Sequence, residues 1–179
     1  MKLEETQISR EEIYDGAVLH VVKDTVELPN GQSSVREICL HKGAAAVIPI
    51  TEEGDVIMVK QFRYAHGRVF LEIPAGKLDS ADEDPLDCAR RELKEETGAE
   101  AKKMTYLGRL DTTPALINEK IHLYLAEELS YGECDPDEDE FVTVEKIPLH
   151  KLVEMVMNGE ICDGKTQIAI LKAARIMGI

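Results

Sequence analysis

The stretch "GAAAVIPITEEGDVIMVKQF", residues 43 to 62, limits the possible folds of this 179-residue chain more than any other. Two apolar runs, "AAAVIPI" and "VIMVKQF", flank the turn "TEEGD". They read as two strands joined by a short loop, in a sheet buried on at least one face. The main core is expected there. The longest apolar run, "GAAAVIPI", falls far short of the roughly twenty residues that a membrane-spanning helix needs.

The residues around this core divide by texture. Before Gly43 the chain reads as strands and turns: "YDGAVLHVVKDTVEL" alternates in part, "LPNG" closes a turn at Gly31, and "SSVREICL" supplies a return strand. After "FLEIPAGKL", a loop punctuated by Pro and Gly, a helix begins near Asp84 with Pro85 suited to its first turn. Leu86, Ala89 and Leu93 give that helix one apolar face, and Gly98 can take the left-handed position that stops it. "MTYLGRL" and "IHLYLAEEL" read as strands, and "EKIPLHKLVEMVMNG" and "GKTQIAILKAARIMG" as two C-terminal helices. The expected class is α+β: a mixed sheet flanked by helices over residues 43–179, with a small β-rich region at 1–42.

Charge narrows the function classes. A net charge of −14 excludes nucleic acid as the main partner, because phosphate neutralisation needs a basic stripe. An acidic, apolar-poor N-terminus shows no targeting segment, so the expected compartment is cytoplasmic and no membrane partner is expected. Cys39, Cys88, Cys134 and Cys162 form no CxxC pair and read as reduced thiols.

The residues that carry chemistry are in "ARRELKEETG", residues 89 to 98. At about 100° per residue, Glu92, Glu95 and Glu96 share an arc roughly 100° wide. Like charges spaced four apart cost a few tenths of a kcal/mol, and the helix C-terminus disfavours anions. Local stability does not account for the choice. A hard divalent cation does, since it turns mutual repulsion into shared attraction.

Gly76, Glu83, Arg91-Glu92-Leu93, Glu95-Glu96 and Gly98 together resemble the Nudix box, GX5EX7REUXEEXGU. Six residues separate Gly76 from Glu83 where the pattern has five, so either the loop holds an extra residue or Asp82 takes the glutamate's place. Ala99 is also smaller than the usual aliphatic residue. The resemblance implies a Nudix α/β/α sandwich, with Glu92 and Glu96 as ligands to Mg²⁺, for which Mn²⁺ can substitute. It places Glu95 close to the metals or to the attacking water, and adds the carbonyl of Ala75 as a ligand. Arg91 would pair with Glu83 and hold the loop on the helix, and Gly76 and Gly98 would be structural.

"VKQFRYAHGRVFLEIPAGKLD" further resembles the ADP-ribose pyrophosphatase branch, as does Pro114, sixteen positions beyond Gly98. That likeness implies substrate contacts from Arg63, Arg36 and Glu119, and an N-terminal region that pairs with a second subunit in a homodimer and helps to form the adenosine pocket. The acidic stretch "ECDPDEDEF" fails as a calcium loop, with Glu140 where glycine is needed and Lys146 where a bidentate glutamate is needed. In the branch such a loop brings a glutamate to deprotonate water, and Glu140, with Glu138 second, would fill that role. The expected reaction is Mg²⁺-dependent hydrolysis of a nucleotide sugar, ADP-ribose to AMP and ribose 5-phosphate foremost. The alternatives are GDP-mannose or another nucleotide sugar as substrate, or a catalytically silent nucleotide-binding module.

Overall fold

The computed structural model describes residues 3–132 and 141–179. The chain separates into two compact units, residues 1–43 with 111–120 and residues 44–110 with 121–179.

The first unit is an antiparallel sheet of β1 (Thr6–Asp15), β2 (His20–Glu27) and β3 (Ser33–Leu40), in that order. "YDGAVLHVVKDTVEL" is not one strand: the chain turns between Gly16 and Leu19, where the Gly16 N–H donates to the Leu19 carbonyl at 2.9 Å. β1 falls instead on "TQISREEIYD", whose ten residues are all exposed. A strand with no buried face needs no alternation, which is why periodicity does not find it. Charges hold it to β2: Arg10 donates to both oxygens of the buried Asp24 at 2.8 Å, and Lys23 meets Glu11 at 3.0 Å. Residues 111–120 join the unit through the Cys39 N–H, which donates to the Leu116 carbonyl at 2.8 Å.

The second unit holds two sheets. One has the order β7 (Ala75–Lys77), β4 (Ala44–Pro49), β9 (Lys120–Tyr131), β8 (Ala99–Asp111); the other has β10 (Val142–Pro148), β5 (Asp55–Arg63), β6 (Arg68–Glu72). β4 runs parallel to β9 and antiparallel to β7, so the first sheet is mixed. The two apolar strands of the opening stretch therefore belong to different sheets, bridged between Ile50 and Val56, and share the core in which Ile48 lies with Met58.

The reason lies in β4, all six of whose residues are buried. Successive side chains point to opposite faces. Ala45 and Val47 enter a core with Cys88, Ala89 and Leu93 of helix α1 (Pro85–Thr97). Ala46 and Ile48 enter another with Leu149 and Leu152 of α2 (Leu149–Met157) and Ala169, Ile170 and Ala173 of α3 (Gly164–Met177). A strand buried on both faces needs a layer on each. The first part of "EKIPLHKLVEMVMNG" is also strand rather than helix: β10 ends at Pro148, and α2 starts immediately after it, as a residue lacking an N–H and fixed in φ favours.

α1 starts where Asp84 caps it, accepting the Leu86 N–H at 2.9 Å, and stops at Gly98, whose φ of 67° is left-handed. Asp84→Ala is expected to cost about 1 kcal/mol, read as a lower denaturant midpoint at unchanged slope.

Candidate active site

α1 is the platform. Leu93 and Ala89, both fully buried, fasten it to the core, and that fixed rotation leaves Glu92 and Glu96 at only 7% and 3% exposure. Glu95, on the same arc, is half-buried. Carboxylates at that depth are costly unless paired.

Arg91 provides much of the pairing. Its Nη1 donates to Glu92 Oε1 at 2.7 Å and to Glu95 Oε2 at 3.2 Å, while Nη2 donates to the Lys77 carbonyl at 3.2 Å and to Glu83 Oε1 at 3.5 Å. The expected partnership with Glu83 is present, but the shorter bonds go to Glu92 and Glu95. Burial opposes the charged guanidinium, and Glu92 foremost among its neighbours raises its pKa above the usual arginine value.

The six-residue spacing resolves in favour of an extra loop residue. Glu83 Oε2 accepts the Asp79 N–H at 2.6 Å while Oε1 faces Arg91, whereas Asp82 is exposed. The Glu83 N–H donates to the Ser80 carbonyl at 3.3 Å, closing a turn in the loop before α1.

Gly76 is where backbone and carboxylate approach most closely. A Cβ at that position would lie 1.9 Å from Glu92 Oε1, so only glycine leaves room for the Glu92 carboxylate. One residue earlier, the Ala75 N–H donates to Glu96 Oε2 at 3.2 Å. β7 and α1 therefore converge on the same pair of glutamates. Beside them, burial pushes the Cys88 thiol up to about 12, which leaves it an unreactive packing residue.

Among the described residues no three His, Cys, Asp or Glu side chains form a ready-made cation cage, since Arg91 is bonded to both Glu92 and Glu95. The donor set nonetheless fits a hard divalent cation. It offers three carboxylates within little more than one helical turn, two of them nearly buried, and a glycine whose missing Cβ makes room for that of Glu92.

A second charged cluster lies on β5, β6 and the start of α3. Arg63 forks onto the buried Glu72, Nε to Oε1 and Nη2 to Oε2, both at 2.8 Å. Lys165 also bonds Glu72 Oε2, and meets Asp163 Oδ2 at 3.0 Å. Burial alone would raise the Glu72 carboxyl; Arg63 and Lys165 outweigh it and hold the group below the ordinary carboxylate range. Glu72 and Lys165 are absent from the sequence-derived site. The signal was a lone acid in the otherwise apolar "VFLEIP", which, where the chain buries it, demands a cation.

Arg36 and Glu119 belong to the first unit. Arg36 forks onto Glu5 at 2.9 and 2.5 Å, and Glu119 Oε1 lies 3.7 Å from His41 Nε2. Glu140 and Glu138 lie outside the described residues.

The NUDIX domain family matches residues 40–165, and the nucleoside diphosphate sugar hydrolase N-terminal domain matches residues 5–38. ADP-ribose pyrophosphatase of Bacillus subtilis (strain 168) is 48% identical over 170 residues, covering 94% of this chain and 91% of that protein. The methanol dehydrogenase activator of Bacillus methanolicus is 46% identical over 169 residues, covering 93% and 91%. A solved ADP compounds hydrolase aligns with a TM-score of 0.87 over 99% of this chain and 97% of its own, at 21% identity, a likeness of fold.

Proposed function

This chain belongs to the Nudix hydrolase family, and from that premise we propose that it hydrolyses the diphosphate of a nucleoside diphosphate sugar, ADP-ribose to AMP and ribose 5-phosphate foremost. The observation that carries the reading is the convergence of Gly76, Glu92 and Glu96, which sets two nearly buried carboxylates against a backbone that only glycine permits. The choice of ADP-ribose is supported by the name of the Bacillus subtilis relative and by the N-terminal domain match.

The diphosphate repels an incoming hydroxide, so its charge must be met before attack. Mg²⁺, or Mn²⁺ in its place, would supply that neutralisation and a more acidic water. Glu92, Glu95, Glu96 and the Ala75 carbonyl would hold the cation. Arg91, bonded to Glu92 and Glu95, would then keep the bond to Glu83 and the Lys77 carbonyl, which ties the loop to α1. Arg63, the most exposed member of its cluster, would take a phosphate oxygen; Arg36 and Glu119 remain substrate contacts on the resemblance to the ADP-ribose branch alone. Glu140 would accept the proton of the attacking water.

We also propose a homodimer in the cytoplasm. The dimer is supported by β1, an edge strand that exposes Ile8, Ile13 and Tyr14. The compartment is supported by the free thiols of Cys39, Cys88 and Cys162. No helix of the described residues is long and apolar enough to cross a membrane.

The test is a substrate panel with Mg²⁺, resolved by product mass. AMP from ADP-ribose, with little GMP from GDP-mannose, is the expected result. Faster release of GMP replaces the substrate and keeps the chemistry, whereas nucleotide binding without any product makes the chain a silent module.

A further inference from the structure

Lys165 stands 93 positions from Glu72 in sequence and outside every motif of the box, yet its ammonium bonds the carboxylate onto which Arg63 forks. The side chains of this cluster are graded by depth. Glu72 is 3% exposed, Lys165 11% and Asp163 21%, whereas Arg63 is 41% exposed. The deeper members thus support the most exposed one.

Among these four side chains the charges balance, two cations against two carboxylates, and the Glu96 carboxylate also acts on Arg63. Asp163 is tied down independently: its Oδ2 accepts the Thr166 N–H at 2.9 Å and the Thr166 hydroxyl at 2.6 Å, which caps α3. The same hydroxyl oxygen accepts the Ile73 N–H at 3.0 Å, so the first turn of α3 is bonded to the strand end that carries Glu72. Two rigid elements therefore fix where the Glu72 carboxylate lies, and its fork fixes the plane of the Arg63 guanidinium.

We propose that Lys165 is a positioning residue for substrate binding, one that neutralises Glu72 from behind so that Arg63 presents its charge to the substrate diphosphate instead of spending it on Glu72. The proposal rests on the reading of Arg63 as a substrate contact. Without Lys165 the cluster carries an unbalanced negative charge at a depth where solvent screens poorly, facing an anionic substrate. Without the charge of Asp163 the imbalance is positive, and the substrate gains.

The prediction is a pair of opposite effects in steady-state kinetics on the full chain. Lys165→Gln is expected to raise KM for ADP-ribose about tenfold with kcat within about threefold, and Lys165→Arg to restore most of the loss. Asp163→Asn, which keeps a good helix cap, is expected to lower KM about threefold. A purely structural role would move both variants in the same direction. Lys165→Gln with KM within about twofold of wild type, or Asp163→Asn with KM unchanged or raised, overturns the proposal. If Lys165→Gln does not fold by circular dichroism, the Asp163→Asn result decides alone. A wild-type chain that cleaves no nucleoside diphosphate sugar instead overturns the reading of the site; cleavage with KM indifferent to these charges overturns only the role of Lys165.

Discussion

Glu96→Gln is expected to lower kcat/KM for ADP-ribose by about a thousandfold, equivalent to roughly 4 kcal/mol of lost transition-state stabilisation. The side chain is almost fully buried, and its Oε2 accepts the Ala75 N–H at 3.2 Å. Glutamine keeps the volume and can keep that hydrogen bond through its amide oxygen, so the fold is expected to survive. What it loses is the charge that would hold a divalent cation against the helix C-terminus, where the dipole already disfavours anions. The variant should therefore unfold at a temperature close to that of wild type while losing nearly all turnover. Activity within about threefold of wild type would remove Glu96 from the ligand set.

Gly76→Ala is expected to reduce kcat/KM by about a hundredfold through a single methyl group. The new Cβ would fall 1.9 Å from Glu92 Oε1 and 2.0 Å from its carboxyl carbon, distances that no contact tolerates. What it meets is the far end of a flexible side chain rather than backbone, so the clash is relieved by turning Glu92 away. Stability then falls by only about 1 to 2 kcal/mol, within the usual range for overpacking. Activity falls further, because the displaced carboxylate is one of the proposed ligands. Paired measurements of melting temperature and kcat/KM separate the two effects. Equal losses in both would mean that Gly76 serves the fold alone.

The parts of this molecule that were legible in the sequence are those in which one local rule decides the outcome. α1 is bounded by Asp84, Pro85 and Gly98 and fastened by Leu93, and its three glutamates conflict with the helix dipole. The strands were legible where one face is buried and illegible where none is. β1 has no periodicity because its ten exposed residues are held by cross-strand charges such as Arg10 with Asp24. The separation of β4 from β5 into different sheets depends on packing against α1, α2 and α3, which no local pattern encodes. Glu72 and Lys165 were missed for a related reason: a buried ion pair between residues 93 positions apart exists only once the fold has brought α3 to β6. The spacing between Gly76 and Glu83 shows the converse, an ambiguity that the structure removes by bonding Glu83 to both Asp79 and Arg91.

The central claim is that this chain breaks a diphosphate bond with a cation held by the glutamates of α1. It is tested most directly by following ADP-ribose with Mg²⁺, after complete chelation, and after Mg²⁺ is returned, with products identified by mass. AMP and ribose 5-phosphate are expected in equal amounts, with none under chelation and full recovery on return of the metal. Cleavage that continues under chelation, or that yields adenosine or free phosphate in place of AMP, would contradict it.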